Sequence, residues 1–287
     1  KSKINTSINS KSFQYILTSV GNINSNIFNK FLNTGKKIID GETKVKSIIS
    51  FDPYTKKTLL YSTSDLVGIS LVTIKPWSKE KNKKVNFALN YQPFPKKSYP
   101  LKINLDKNEF EFKLDDNDTY IKTKSPAARG IIKYSFDENQ KKTFSGSFEY
   151  IDIKYFSKDM PMDYFPTIDI QSKHVRTSDT IFDNVHLILT PKDGYIEISK
   201  LDFKNINIEM KSTGKWFVKD NQSTEITSNI KSDNFGAALK GIGYPNTIRG
   251  GKMNASIKSK WPGSLEEFSF ASSDAKIKMK IKDGQIN

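Results

Sequence analysis

Apolar and polar residues alternate along most of this chain, and the alternation is clearest near its end. From Lys252 to Trp261 and from Ala275 to Lys282, apolar residues occupy every second position, apart from Ser259, with lysine or other polar residues between them. A period of two places successive side chains on opposite faces of a β-strand. The pattern therefore predicts strands with one apolar face and one lysine-rich face.

The same period recurs in two series of short segments separated by polar or proline-containing turns. Many short strands at regular spacing, with few helices, are typical of an antiparallel meander. We therefore predict a mainly β protein with a first β segment at residues 41–158 and a second at 167–287. Pro161 and Pro166 mark residues 159–166 as the linker between them. Lys192, Asp193 and Gly194 predict a hairpin turn within the second segment.

Residues 1–40 show a different period. Their apolar residues recur at helical spacing, first at Phe13, Ile16, Leu17 and Val20 and then at Ile27, Phe31 and Leu32. This spacing predicts one or two short amphipathic helices. Such helices suit a membrane surface, but we favour packing across the end or edge of the sheet.

The composition limits the classes of protein. The chain has 287 residues, a net charge of +15 and no cysteine, which excludes a disulfide framework and thiolate metal sites. The basic residues are lysine except for Arg129, Arg176 and Arg249. Proteins that recognise nucleic-acid bases usually use arginine for these contacts. We interpret most of the lysines as the solvated side of strands, with attraction to phosphate as a secondary effect.

The sequence lacks a recognisable catalytic arrangement. His174 and His186 are the two histidines, and we expect His186 on a polar strand face because it lies between Val185 and Leu187. The cluster Asp115, Asp116 and Asp118 lacks the glycine and glutamate of a calcium loop and is better explained as a hairpin turn. We predict that the protein is not an enzyme and has no metal or cofactor.

Several short motifs, taken in order, resemble the YhdP branch of the AsmA-like proteins. They are Ser64-Asp65-Leu66-Val67-Gly68 with Pro76 and Lys79, Gly214-Lys215-Trp216, Ser232-Asp233-Asn234-Phe235-Gly236, Trp261-Pro262-Gly263 and Ile281-Lys282-Asp283-Gly284-Gln285-Ile286. Together they extend the resemblance from about Ser64 to Ile286. Thr73-Ile74-Lys75-Pro76 departs from the Leu-Pro-x-Pro of the family.

The resemblance implies a bacterial envelope protein with a long periplasmic β body and one helix anchored in the inner membrane. Such bridge-like lipid transfer proteins carry phospholipids between the inner and outer membranes along a curled sheet, the repeating β-groove. Because members usually continue past the last motif, we expect this chain to be part of a longer protein. The fold expected is therefore a long antiparallel meander curled into a groove, with short N-terminal helices.

Physical chemistry supports the same hypothesis, because a sheet with one apolar face must cover that face with a second layer or with a ligand. An acyl chain of about 16 carbons gains roughly 13 kcal/mol on leaving water, at about 0.8 kcal/mol per CH₂. The predicted groove lining comprises Val85, Phe87, Leu89, Ile103, Val185, Leu187, Leu189, Ile196, Ile198, Ile206, Ile208, Met210, Met253, Ile257, Ile277, Met279 and Ile281. Each could equally belong to the closed core of a sandwich.

Three functions remain open from the sequence. The first is a periplasmic segment that binds phospholipid acyl chains during transport between membranes. The second, implied by the wider AsmA-like family, is a non-catalytic scaffold that presents sheet edges during assembly of outer-membrane proteins or supports envelope integrity. The third, a nucleic-acid-binding β domain, is disfavoured by the scarcity of arginine and by the absence of a stacking-aromatic motif.

Overall fold

The computed structural model describes residues 14–26, 39–71, 78–95, 98–115, 118–136, 142–155, 165–177, 181–219, 222–241, 248–269 and 271–286. The strands are β1 (Tyr15–Asn24), β2 (Ile39–Phe51), β3 (Thr58–Ser64), β4 (Ile69–Leu71), β5 (Phe87–Phe94), β6 (Leu101–Leu105), β7 (Asn108–Leu114), β8 (Asp118–Lys124), β9 (Ala128–Phe136), β10 (Lys142–Asp152), β11 (Thr167–Arg176), β12 (Ile181–Pro191), β13 (Tyr195–Lys204), β14 (Glu209–Phe217), β15 (Ser223–Ser232), β16 (Ile248–Pro262) and β17 (Asp274–Ile286). A short α-helix, α1 (Phe235–Gly241), follows β15, and 3₁₀ turns lie at Ile153–Tyr155 and Leu265–Glu267. The predicted mainly β class is confirmed.

The chain divides into two compact units. The first contains residues 1–131 and 155–159, and the second contains residues 132–154 and 160–287. The division falls within β9, after Ile131. Most of the predicted linker, residues 159–164, lies outside the described residues, so the segment boundaries derived from the sequence stay a prediction.

The first unit is an antiparallel meander. β1 pairs with β2, β2 with β3, β3 with β5, and the chain continues through β6, β7 and β8. The β6–β7 hairpin turns at Asp106, which has a positive φ of 50°. Its carboxylate accepts a hydrogen bond from the Asn86 backbone N–H at 2.9 Å, so the turn is also tied to the start of β5.

The prediction of amphipathic helices in residues 1–40 is wrong for Tyr15–Asn24, which form β1 and pair with β2 over ten residues. Ile16 and Val20 are four residues apart, a spacing that fits one helical turn and also two strand repeats. Their β-branched side chains favour the strand. The remaining residues of that prediction, Phe13, Ile27, Phe31 and Leu32, lie outside the described residues.

The segment from Ser64 to Gly68 folds back on the start of β2 through close backbone contacts. Gly68 has φ +94°, and a Cβ on it would lie 2.1 Å from the Glu42 carbonyl oxygen. Lys79, only 5% exposed, donates hydrogen bonds from Nζ to the carbonyl oxygens of Ile69 at 2.7 Å and Glu80 at 2.9 Å. This motif therefore serves the fold, because the buried ammonium donates to backbone carbonyl oxygens of β4 and of the segment that follows it.

The second unit is mostly an antiparallel meander. β10 and β11 pair in parallel, and every neighbour from β11 to β17 pairs antiparallel. The predicted hairpin turn is confirmed: the Lys192 backbone N–H donates to the Tyr195 carbonyl oxygen at 2.9 Å, and Gly194 has φ +80°. Register shifts between Ile188 and Leu189 and between Ile198 and Leu201 mark β-bulges, which increase local twist.

The second unit has a compact buried cluster at one end of its strands. The cluster contains Leu189, Ile196, Ile198, Ile226 and Trp261. Seven half-buried residues pack around it, namely Phe165, Ile168, Leu187, Leu201, Trp216, Val218 and Leu265. The indole N–H of Trp261 donates to the Ser264 carbonyl oxygen at 2.8 Å, so the polar edge of this large side chain is satisfied inside the cluster.

Candidate functional site

The strand registers of the second unit bring the predicted apolar residues onto one face. One cross-strand row, from β11 to β17, reads Ile170, Leu187, Leu201, Ser212, Ser228, Ile257 and Ile277. A parallel row, from β13 to β17, reads Phe203, Met210, Ile230, Ala255 and Met279. Directly opposed side chains on one face lie about 5 Å apart. The rows therefore form a continuous apolar surface, here called the second apolar face.

This face also carries the residues of the buried cluster. Ile198 and Leu189 are opposed in register, and Ile196 is opposed by Trp216. Ile196 and Ile198 are 2% and 0% exposed, because the aromatic and aliphatic residues of the cluster cover them. Met253 is also buried. These positions are in contact with the protein itself.

The opposite end of the same face is uncovered. Ile277 is 60% exposed and Met279 is 54% exposed on β17. Between the two ends the face is partly covered. Ser212, Ser228 and Ala255 are buried, whereas five predicted residues are half-buried, namely Val185, Leu187, Met210, Ile257 and Ile281. The predicted lining therefore falls into a covered part and an accessible part.

Three of the predicted lining residues lie in connections and not in strands. Ile206 lies between β13 and β14 and is 95% exposed. There the Asn205 side chain accepts hydrogen bonds from the backbone N–H groups of Asn207 and Ile208, each at 2.9 Å. This Asx turn competes with the strand ladder, so β14 begins only at Glu209. Val85 precedes β5 and donates its N–H to the Asp65 carbonyl oxygen at 2.9 Å.

The first unit has a comparable surface, here called the first apolar face. Phe87, Leu89 and Ile103 lie on it, half-buried. One row across seven strands reads Leu17, Ile49, Leu60, Tyr91, Leu101, Phe112 and Ile121. The predicted lining did not include these seven, although the alternation of Phe110 and Phe112 with charged residues in β7 carries the same signal.

Serine hydroxyls interrupt both apolar faces in hydrogen-bonded pairs. Ser212 donates to Ser228 across β14 and β15 at 2.8 Å, and both are buried. Ser47 and Ser62 are hydrogen-bonded at 2.8 Å across β2 and β3. Because a paired hydroxyl avoids most of the penalty of burial, these positions remain compatible with an apolar ligand.

The histidines and their carboxylate neighbours form two separate pairs. His174 Nδ1 is 2.8 Å from Asp183 Oδ1, and His186 Nε2 is 2.9 Å from Asp169 Oδ1. Within the described ranges no group of three or more histidine, aspartate or glutamate side chains is placed to hold a metal ion. The pairs resemble ordinary cross-strand contacts, with His174 exposed and His186 half-buried.

A shallow depression lies on the polar side of the second unit. It is lined by Glu197, Ile198, Ser199, Thr213, Gly214, Lys215, Glu225, Ile226, Thr227, Lys258, Ser259, Lys260, Asp274 and Lys276. Lys260 and Glu225 form an ion pair at 2.7 Å. The mixture of acidic and basic side chains gives this depression no clear preference for one class of ligand.

The greater part of the chain matches the model of a known protein family. The model of the family described as "YhdP protein" matches residues 102–287. The chain belongs to the YhdP family. This is a lipid-transport family of membrane-associated envelope proteins. The resemblance inferred from motifs is thus confirmed. The chain has no match among curated proteins or solved structures.

Within the described residues, every helix is too short or too polar to cross a bilayer. Apolar faces in a lipid-transport family fit a β-groove for lipid.

Proposed function

We propose that this chain is a periplasmic segment of an intermembrane phospholipid transport protein and that acyl chains lie along its apolar faces. The observation that carries the proposal is the uncovered part of the second apolar face. Ile277 and Met279 are more than half exposed, yet the strand register joins them to rows of apolar side chains that extend over several strands. Contiguous exposed apolar surface typically marks a binding site.

The energetics favour an acyl chain over water on this surface. Apolar area removed from water contributes about 25 cal/mol per Å², and both the ligand and the strand side chains gain from the contact. A lipid needs no directional partner for its tail, so a row of Leu, Ile and Met side chains is sufficient. The paired hydroxyls of Ser212 and Ser228 add no unsatisfied polar group.

The proposed ligand is a phospholipid, with its tail on the apolar face and its headgroup in solvent. Headgroups stay at the margin of the face because burial of a phosphate without partners is strongly unfavourable. In the full-length protein we place this segment between the inner and outer membranes, with an anchor in the inner membrane. Membership of a membrane-associated envelope family supports that placement.

Native mass spectrometry of the chain, produced in bacteria and purified without detergent, tests the proposal. We expect bound phospholipid and uptake of a fluorescent phospholipid. Met279→Asp should abolish uptake without unfolding the protein, because the side chain is already exposed. Lys278→Asp is the matched control, since it places a carboxylate on the same strand but on the opposite face. Equal loss of uptake in both variants would contradict the proposal.

Leu187→Asp examines the half-buried part of the same face. We expect it to reduce lipid uptake while the circular dichroism spectrum stays that of the parent chain. Loss of the folded spectrum would instead assign Leu187 to the core, alongside its neighbour Leu189. A chain that carries no lipid and takes none up would favour the scaffold alternative, in which the sheet serves assembly of outer-membrane proteins.

A further inference from the structure

The polar side of β16 and β17 carries six exposed lysines, here called the lysine face: Lys252, Lys258, Lys276, Lys278, Lys280 and Lys282. The strand register brings two pairs of them directly opposite each other, Lys258 with Lys276 and Lys252 with Lys282. Like charges directly opposed across strands destabilise a sheet. Folding alone gives no reason for this arrangement.

None of the six has an acidic partner within ion-pair distance among the residues the structure describes. The neighbouring lysine differs: Lys260 lies opposite Asp274 and forms an ion pair with Glu225 at 2.7 Å. Lys258 and Lys276 border the mixed-charge depression that Asp274 also lines, so the uncompensated positive charge of the lysine face is concentrated at Lys252, Lys278, Lys280 and Lys282.

The geometry of the lysine face suits a surface with many phosphates. Four of its lysines alternate along β17, and at about 3.4 Å per residue the row from Lys276 to Lys282 is about 20 Å long. Two more lie on the adjacent strand, about 5 Å away. Two such rows form a broad, regular array of charge that can contact several anionic groups at once.

The chemistry of the array favours lipid headgroups over nucleic acid. All six residues are lysine, whose single ammonium on a flexible stem suits mobile phosphates, whereas base recognition relies on the planar fork of arginine. The intervening polar-side residues are Asn254 and Ser256 on β16, so no aromatic side chain between the lysines offers a platform for base stacking.

We infer that the lysine face docks on the surface of a bilayer that contains anionic phospholipid. Each lysine near such a surface increases binding about five-fold at moderate ionic strength. The docking surface is distinct from the apolar face, which lies on the other side of the same hairpin. The inference goes beyond the proposed function, since surface docking does not require that acyl chains enter the apolar face.

Cosedimentation with vesicles tests the inference on the whole chain. We expect binding to vesicles of phosphatidylcholine with 30% phosphatidylglycerol, on the order of the fraction that makes a surface strongly anionic. Binding should weaken steeply between about 0.05 and 0.5 M salt, because exposed charges are screened over about 10 Å at 0.1 M. Pure phosphatidylcholine vesicles should bind little. Equal binding to both vesicles would overturn the inference.

The double variant Lys278→Gln/Lys280→Gln should weaken binding to anionic vesicles about 25-fold, the product of two five-fold effects. Its matched control is Lys44→Gln/Lys46→Gln, which removes two exposed lysines with the same spacing from β2 and changes the net charge equally. An equal decrease in both variants would show that net charge alone is responsible and would overturn the assignment to the lysine face.

Two further measurements separate this inference from its competitors. Duplex DNA should not displace the chain from vesicles at equal phosphate concentration; if it does so, and the double variant binds DNA weakly, the lysine face is a nucleic-acid site. Uptake of fluorescent phospholipid should be unchanged in Lys278→Gln/Lys280→Gln and lost in Met279→Asp. Failure of surface docking is thereby distinguishable from failure of acyl binding.

Discussion

The two ends of the second apolar face have the same strand pattern and opposite environments. At one end Ile196 and Ile198 are inaccessible to solvent, covered by Trp216 and Trp261. At the other end Ile277 is 60% exposed, although it lies on the same face; it alternates with lysine, whereas Ile196 and Ile198 flank Glu197. The difference is the presence or absence of a covering layer.

The comparison shows that the alternation of apolar and polar residues identifies which side chains share a strand face, but not whether that face is buried or exposed. Connections supply the cover at the buried end, because Phe165 and Leu265 lie outside the strands and pack onto the cluster. No described residue does so for Ile277 and Met279, which remain exposed. The part of the face left without cover is the part to which we assign the proposed acyl site.

The largest expected effect is at the covered end. Ile198→Ala should lower the free energy of unfolding of the second unit by about 3 kcal/mol, because it removes buried methyl groups and leaves a cavity. Urea unfolding followed by tryptophan fluorescence measures it, since Trp261 packs in the same cluster. A loss below about 1 kcal/mol would mean that the cluster is loosely packed.

In the first unit, the contribution of one buried side chain, Lys79, to stability can be measured. Lys79→Met should lower the free energy of unfolding by about 2 kcal/mol, because the carbonyl oxygens of Ile69 and Glu80 lose their donor. Urea unfolding at pH 7 measures the difference. Lys81→Met, at an exposed neighbouring lysine, is the control and should change stability little.

Lys79 should also make stability depend on pH. Burial lowers the pKa of the Lys79 ammonium below its ordinary value of 10.5, against an opposing effect of Asp65. Between that lowered pKa and 10.5 the unfolded chain binds more protons than the folded chain, so this group makes stability rise with pH there. The difference in unfolding free energy between the parent chain and Lys79→Met should change across that window and be constant below it.

A smaller loss of stability is expected at Ser212 and Ser228, the hydrogen-bonded serine pair of the second apolar face. Ser212→Ala alone should lower the free energy of unfolding by about 1 kcal/mol, since Ser228 loses its hydrogen-bond partner. The double variant Ser212→Ala/Ser228→Ala should be less destabilised than the sum of the single variants. A double-mutant cycle measures the coupling, and strict additivity would contradict the pairing.

The smallest effect is expected at the uncovered end. Ile277→Ala, the same substitution as at position 198, should change the free energy of unfolding by no more than about 0.5 kcal/mol, because the side chain is exposed in the absence of ligand. Urea unfolding of the lipid-free protein measures it. Destabilisation as large as that of Ile198→Ala would show that a covering layer exists in solution and would remove the proposed acyl site.

Much of the fold was predictable because strand periodicity is a local property. The alternation of Ile277, Met279 and Ile281 with lysine predicted β17. It failed in β1, where the spacing of Ile16 and Val20 fits a helix as well as a strand and pairing with β2 decides the outcome. The alternation also failed to predict the structure at Ile206, because the Asn205 side chain accepts hydrogen bonds from the backbone N–H groups of Asn207 and Ile208.

The sequence by itself determined the strands, their amphipathic character and the family, because each depends on residue order over short distances. Only the tertiary structure decided which apolar residues are core and which are accessible, because cover comes from segments distant in the chain. Trp261 belongs to the same buried cluster as Ile198, which lies 63 positions earlier in the chain. Likewise, only the register of β16 with β17 placed lysine opposite lysine.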